Sequence, residues 1–302
     1  MNPDGPGVNP DEPGAPVTMV GVIPFLLAGL AVLLAWVAPG LMARQKRFRR
    51  APRASLVAWQ AVSLGGILAA LAAAPATLPL LLEGEDALER TELVAPAVLL
   101  STAVLARVLY AGHDVGVRLR RVRADHRQLV DIIATHERDR VRILQHPTPT
   151  AYCIPGRQAR VVLSQGVLDA LPADQLEAVV AHEDAHLRAR HDLLLEFFAV
   201  VHRAVPAPLR SDAALSEVRL LVEVLADRAA VRRSGEVATA RALLALAGSR
   251  TPEAALGVGT TAPVRLRLLA DGPPHPVLPA VAYTYAALAG TLPLVLLAAA
   301  WT

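Results

Sequence analysis

Between Val17 and Ala43 the chain is apolar and carries no charged side chain. A helix of about 20 such residues crosses the hydrocarbon core of a bilayer, where the backbone has no partner outside its own segment, so a transmembrane helix is expected. Ser55–Leu82 and Leu93–Gly112 repeat the pattern, the latter interrupted by Arg107, and Val277–Trp301 repeats it after Pro273, Pro274 and Pro276. With 54% hydrophobic and 19% charged residues, the composition agrees with a membrane protein rather than a soluble domain. Residues 1–16 mix Pro, Gly, Asn and acids with little to bury, and read as a disordered tail. A cleaved signal peptide would need a basic start, which they lack.

Charge between the runs sets an orientation. Arg44, Lys46, Arg47, Arg49, Arg50 and Arg53 follow the first run without an acid, whereas EGEDALERTE after the second holds five acids and one Arg. Five arginines fill Arg118–Arg127 after the third. By the positive-inside rule these flanks are cytoplasmic, external and cytoplasmic. The expected layout is an external tail at 1–16, three transmembrane helices in 17–112 (about 17–43, 55–82 and 93–112), a cytoplasmic domain at 113–276 and a fourth transmembrane helix at 277–302. Tyr283 and Tyr285 at the inner end of the last run and Trp301 at its outer end suit an interfacial belt. The single cysteine, Cys153, excludes an internal disulfide and fits a reducing compartment.

Within the cytoplasmic segment, Val115–Leu144 reads as a basic helix prolonging the third span. Thr150–Ile154 and Ala159–Ser164 flank Pro155-Gly156-Arg157-Gln158 as a short β-hairpin. Ser164 caps a brief helix through Leu171, and a longer helix is expected from Pro172 to about Arg203. Another should start at Ser211 or Asp212 and end near Ser234-Gly235, with a further one over Glu236–Ala247.

The helix from Pro172 carries His182-Glu183-Asp184-Ala185-His186. One turn apart, roughly 6 Å along the axis, the two imidazoles reach one ion from the same face. Glu183 lies about 100° around the helix and is placed to take a proton from water rather than to ligate. The alternative is a solvated His/Glu face. A catalytic zinc takes three protein ligands, and LLVEVLADRAAV offers Glu223 and Asp227 on one face of a later helix. Like charges at this spacing repel, and Asp227 has no cation three or four residues away. One zinc ion per chain, ligated by His182, His186 and Glu223, with Asp227 accepting the second N–H of a ligand histidine, accounts for both acids. A surface pair with Arg219 and Arg228 is the other reading.

Around these residues the chain resembles the BlaR/MecR-type integral membrane zinc metallopeptidases, relatives of HtpX and the CAAX-prenyl proteases. The resemblance rests on AVVAHEDAHLRARHDLL, EVLADRAAV and TAYCIPGRQARVVLSQGVLDAL, covers roughly residues 145–270, and includes Arg265 as a late Arg-x-x-x-Leu element. It implies a helical zincin-like cytoplasmic domain in a bacterial-type plasma membrane, Glu183 as catalytic acid/base, and a protein substrate such as a transcriptional repressor. The family's external penicillin-binding sensor is not expected, since no Ser-x-x-Lys motif occurs.

His191 and Asp192 are read as orienting the site or stabilising an oxyanion, and His202 as packing beneath it. Cys153 is taken for a small buried hydrophobe, and His136-Glu137 for part of a solvated basic helix face. A non-catalytic zinc-binding sensor or scaffold is the alternative function; it would need four protein ligands. A transporter is disfavoured, because Arg107 is the ionisable residue of the spans. The cations lie where topology requires them, so direct nucleic-acid binding is not expected, and the partners are the bilayer and a protein substrate. The oligomeric state is left open.

Overall fold

Pro39 has no N–H to give the carbonyl four residues back, and the first apolar helix adjusts around it. In the computed structural model, α1 (Met19–Val32) widens into a π-helical turn at Leu33–Val37, where the Ala38 N–H donates to Leu33 O, and continues as α2 (Ala38–Arg44). A π turn of this kind is how a helix absorbs a missing donor without stopping. The structure describes residues 19–82, 91–138, 140–247, 258–272 and 275–302. The expected tail at 1–16, most of the acidic loop, and Pro273 and Pro274 lie outside them.

After a 3-10 turn at Lys46–Arg50, α3 (Pro52–Ala72) leads through a second such turn into α4 (Leu78–Leu82). The long α5 (Thr91–Ile133) follows, and α12 (Val277–Ala299) closes the chain. Among the described residues, four helical segments are long and apolar enough to cross a membrane: Gly21–Arg44, Pro52–Leu82, Val94–Ile133 and Val277–Ala299. The core contacts give their relative directions. Ala51 and Ala54 at the start of α3 meet Ala282 near the start of α12, while Ala69–Ala76 at its far end meet Ala300. These two therefore run parallel. Ile23 and Leu27 of α1 pack at that far end, and Leu34 and Ala38 pack against Val62 and Ala289, so the first segment runs the opposite way.

At about 1.5 Å per residue, the 43 residues of α5 extend about 65 Å, twice the thickness of a bilayer core. It passes residue 112 without a break. Arg107 lies where α5 meets the following domain and donates to Ala204 O at 2.6 Å, satisfying the end of a helix there. Contrary to the expected helix through Leu144, α5 stops at Ile133, and β1 (Ala134–Arg138) and β2 (Val141–Leu144) follow. The β-branched Ile132, Ile133, Thr135, Val141 and Ile143 favour this outcome over a helix prolonged by arginines. His136 and Glu137 therefore sit in a strand, not on a helix.

The hairpin forms as expected. β3 (Ala151–Ile154) pairs antiparallel with β4 (Arg160–Ser164), with Cys153 opposite Val161, and Gly156 takes the positive φ of 132° that the turn requires. β2 adds to β4 in parallel, which gives one mixed sheet of order β1-β2-β4-β3. Val161, Leu163 and Val167 of the sheet and α6 (Gln165–Ala170) pack against Ala178 and Val179 of α7 (Ala173–Arg188). The Ser164 hydroxyl caps α6 by accepting from Val167 N at 3.1 Å.

The expected single helix to Arg203 is in fact two. Arg190 adopts φ 52°, ψ 43°, and α8 (His191–Ala204) starts anew after it. α9 (Asp212–Ser234) ends at Gly235, with φ 83°, and is followed by α10 (Glu236–Ala247), both where the sequence places them. α11 (Val258–Ala270), which the sequence did not announce, packs Leu268 on Leu220 and Val224 of α9.

Candidate metal centre

Two helices build the site. α7 buries Ala178, Val179, Ala181 and Ala185, which leaves His182, Glu183 and His186 on faces that are only partly covered. α9 is enclosed on several sides, burying its own Val218, Leu221, Val222 and Ala226, and among these it holds Glu223 and the fully buried Asp227.

The Nε2 atoms of His182 and His186 lie 3.1 Å apart, and the Glu223 carboxylate places one oxygen 3.4 Å from the first and the other 3.5 Å from the second. One ligand atom from each residue falls within 4.8 Å of the others. A tetrahedral zinc site with bonds of about 2.0–2.1 Å has ligand atoms roughly 3.3 Å apart, a spacing near that of the two imidazole nitrogens and of each from a Glu223 oxygen. Their electrostatics favour a cation. Burial alone pulls the His182 imidazole down, but hydrogen bonds to Asp227 and Glu223 outweigh it and raise its pKa to about 10. Burial pushes Glu223 upward, yet His182 and Arg265 bring it to about 2, so it stays ionised. His186 is held at about 4 by burial, neutral with a lone pair to offer.

Behind the donors, Asp227 Oδ1 accepts from His182 Nδ1 at 3.0 Å, which leaves Nε2 facing Glu223 and His186. The partner that balances the two acids is Arg265 of α11. Its Nε and Nη2 donate to Asp227 at 2.8 and 2.6 Å, and its Nη1 lies 3.0 Å from Glu223. This fork replaces the surface pairing with Arg219 and Arg228, and Arg228 instead donates to Arg50 O at 2.8 Å. Spacing along α9 does not reveal Arg265, which is 38 residues further on; the late Arg-x-x-x-Leu element was its one trace in the sequence.

His191 reaches the centre from the break after Arg190: its Nδ1 is 3.0 Å from that of His186. Asp192 faces Arg123 and Arg190, at 3.7 and 3.4 Å, and so ties α8 to α5 rather than touching the donors. His202 does not pack beneath the centre; it pairs with the exposed Asp212 at 2.8 Å. Cys153 is more than a filler, since its thiol lies in hydrogen-bonding reach of Glu183 and is pushed up by burial and that carboxylate. Glu183 stays outside the donor cluster, and burial raises its carboxyl above the ordinary range.

Fold and centre together define a polytopic protein, with four helices apt to cross a membrane and a His-His-Glu set that could hold a metal ion. Residues 118–255, a little under half of the chain, match the model of Peptidase family M48, and that segment is similar to those peptidases. The match covers the end of α5, the sheet and α6–α10, and stops short of Arg265. No curated protein and no solved structure matches the chain.

Proposed function

We propose that this protein is a membrane-embedded zinc endopeptidase, with His182, His186 and Glu223 as ligands and Glu183 as general base and acid. The carrying observation is the convergence of the three donors within 4.8 Å of one another with a buried carboxylate beside them, inside the segment that matches M48 peptidases. When bound, zinc supplies Lewis acidity at the scissile carbonyl and makes water a nucleophile near neutral pH. A Glu183 carboxylate oxygen takes the proton of the attacking water and returns it to the leaving amine, and its raised pKa brings it nearer the working pH. Asp227 and Arg265 hold His182 and Glu223 in place, and a cluster of three donors rather than four among the described residues favours catalysis over a structural centre.

The substrate reading is a cytoplasmic or juxtamembrane protein, a transcriptional repressor among the candidates, with the N-terminus outside and the catalytic domain in the cytoplasm. The opposed directions of α1 and α3, with α12 parallel to α3, agree with successive crossings, and the arginine-rich flanks are what favour this orientation. Extended substrate would add to β3, which lies at the sheet edge and carries Cys153 beside Glu183. β4 does not suit that role, because Val161 and Val162 are central and buried.

Purified protein with Glu183→Gln should keep stoichiometric zinc and lose cleavage of a co-expressed partner by a factor on the order of 100 or more. Undiminished cleavage would overturn the mechanism. Proteomic comparison of wild type with this variant would identify the substrate, and labelling of single cysteines placed near residues 118 and 302 would test the orientation.

A further inference from the structure

A cavity of about 700 Å³ lies where α7 and α9 meet the first turns of α3 and α12. Arg53 comes to it from α3, Arg188 from α7, and Arg228, Arg232 and Arg233 from α9; among the described residues no acid lines it. Arg233 pairs with Glu177 at 2.8 Å and Arg228 donates to a backbone carbonyl. Among the described residues, no carboxylate lies in ion-pair distance of Arg53, Arg188 or Arg232, all of them exposed.

Two features raise the positive potential further. The first turns of α3 and α12 carry no acid, and the N-cap of each, Ala51 and Pro276, offers no side-chain cap. Their helix dipoles add partial positive charge at the cavity, although His275 takes up the first N–H groups of α12. Arg228 is pulled down by burial and by repulsion from Arg232 and Arg53, so these guanidiniums press on one another. The C-terminal dipoles of α7 and α9 account for basic residues in their last turns. They do not account for Arg53, which joins the group from a different helix at its N-terminus.

We infer that this cavity binds a phosphate-bearing anion through Arg53, Arg188 and Arg232. Its position favours the headgroup of an anionic lipid over a soluble phosphate. The arginines stand at the level where two membrane-spanning helices begin, and the exposed Tyr283 of α12 on the wall suits the same interface. The site does not depend on the peptidase reading. It adjoins that centre through His191, which lines the cavity and touches His186.

The test uses full-length protein in neutral detergent, titrated separately with phosphatidylglycerol, phosphatidylcholine and inorganic phosphate, with bound adducts counted by native mass spectrometry. Wild type should retain phosphatidylglycerol in preference to phosphatidylcholine. The triple variant Arg53→Gln, Arg188→Gln, Arg232→Gln should bind it on the order of tenfold to a hundredfold more weakly. The matched variant Arg120→Gln, Arg121→Gln, Arg241→Gln removes three exposed arginines elsewhere and should bind as wild type does. Single Arg53→Gln and Arg232→Gln variants should each weaken binding, so the outcome does not depend on the fold of the triple variant. Binding of inorganic phosphate lost in the same variants, without lipid retention, would assign the site to a soluble phosphate. Equal binding of every probe by wild type and the cavity variants would overturn the proposal.

Discussion

Arg265 is the residue on which the centre most depends without touching substrate. It neutralises two carboxylates inside the protein, and removal of one partner of a buried ion pair leaves the other charge uncompensated, at a cost of about 3–5 kcal/mol. Arg265→Gln should therefore lower the melting temperature and weaken zinc binding about 10- to 100-fold, as losses behind a metal ligand do, measured by competition with a chelating dye. Asp227→Asn should weaken zinc binding by a similar factor, because the amide cannot accept from His182 and Arg265 as the carboxylate does. If Arg265→Gln binds zinc as wild type does, the guanidinium serves only to join α11 to α9.

At the scale of elements, the break after Arg190 matters most, since it turns His191 back onto His186. A left-handed conformation costs a non-glycine residue roughly 1 kcal/mol, which predicts opposite effects for two substitutions. Arg190→Gly should raise stability slightly, and Arg190→Val, β-branched at positive φ, should lower it by more than about 1 kcal/mol; thermal melts of the two variants would give the signs. Sequence could not show this break, because neither Gly nor Asn marks it and Leu187-Arg188-Ala189-Arg190 reads as uninterrupted helix. Where the punctuation is present, the reading was close: Gly235 ended α9, Ser164 capped α6, and Pro155-Gly156 turned the hairpin. β1 and β2 escaped because their arginines hid a short alternation whose meaning depends on pairing with β4, a tertiary event. The same limit applies to the centre. Local spacing gave His182, Glu183 and His186, whereas the fork from Arg265 and the thiol of Cys153 arrive from other elements.

Across the whole molecule, the metal-binding helices are bound to the spans rather than suspended below them. Trp59 and Leu56 of α3 share one core with Phe198 of α8 and Val218, Leu221 and Val222 of α9, the helix that holds Glu223. Truncation of a buried tryptophan alone costs about 3–5 kcal/mol, against a total stability of about 5–15 kcal/mol for a typical domain. A fragment that begins at residue 113 loses Leu56 as well, and the contacts that Arg49 and Arg50, in the turn before α3, make with Glu217 and Asp271. The shared core predicts that the boundary expected at residue 113 is not a folding boundary. A fragment of residues 113–276 should fail to bind stoichiometric zinc and should aggregate through the face of α8 and α9 that α3 covers. Full-length Trp59→Ala should fold in the membrane with weakened zinc binding, because α9 loses its support on the side opposite α7. Both are measurable by metal analysis after size-exclusion chromatography. A monomeric, zinc-loaded 113–276 fragment would show that the spans act only as an anchor.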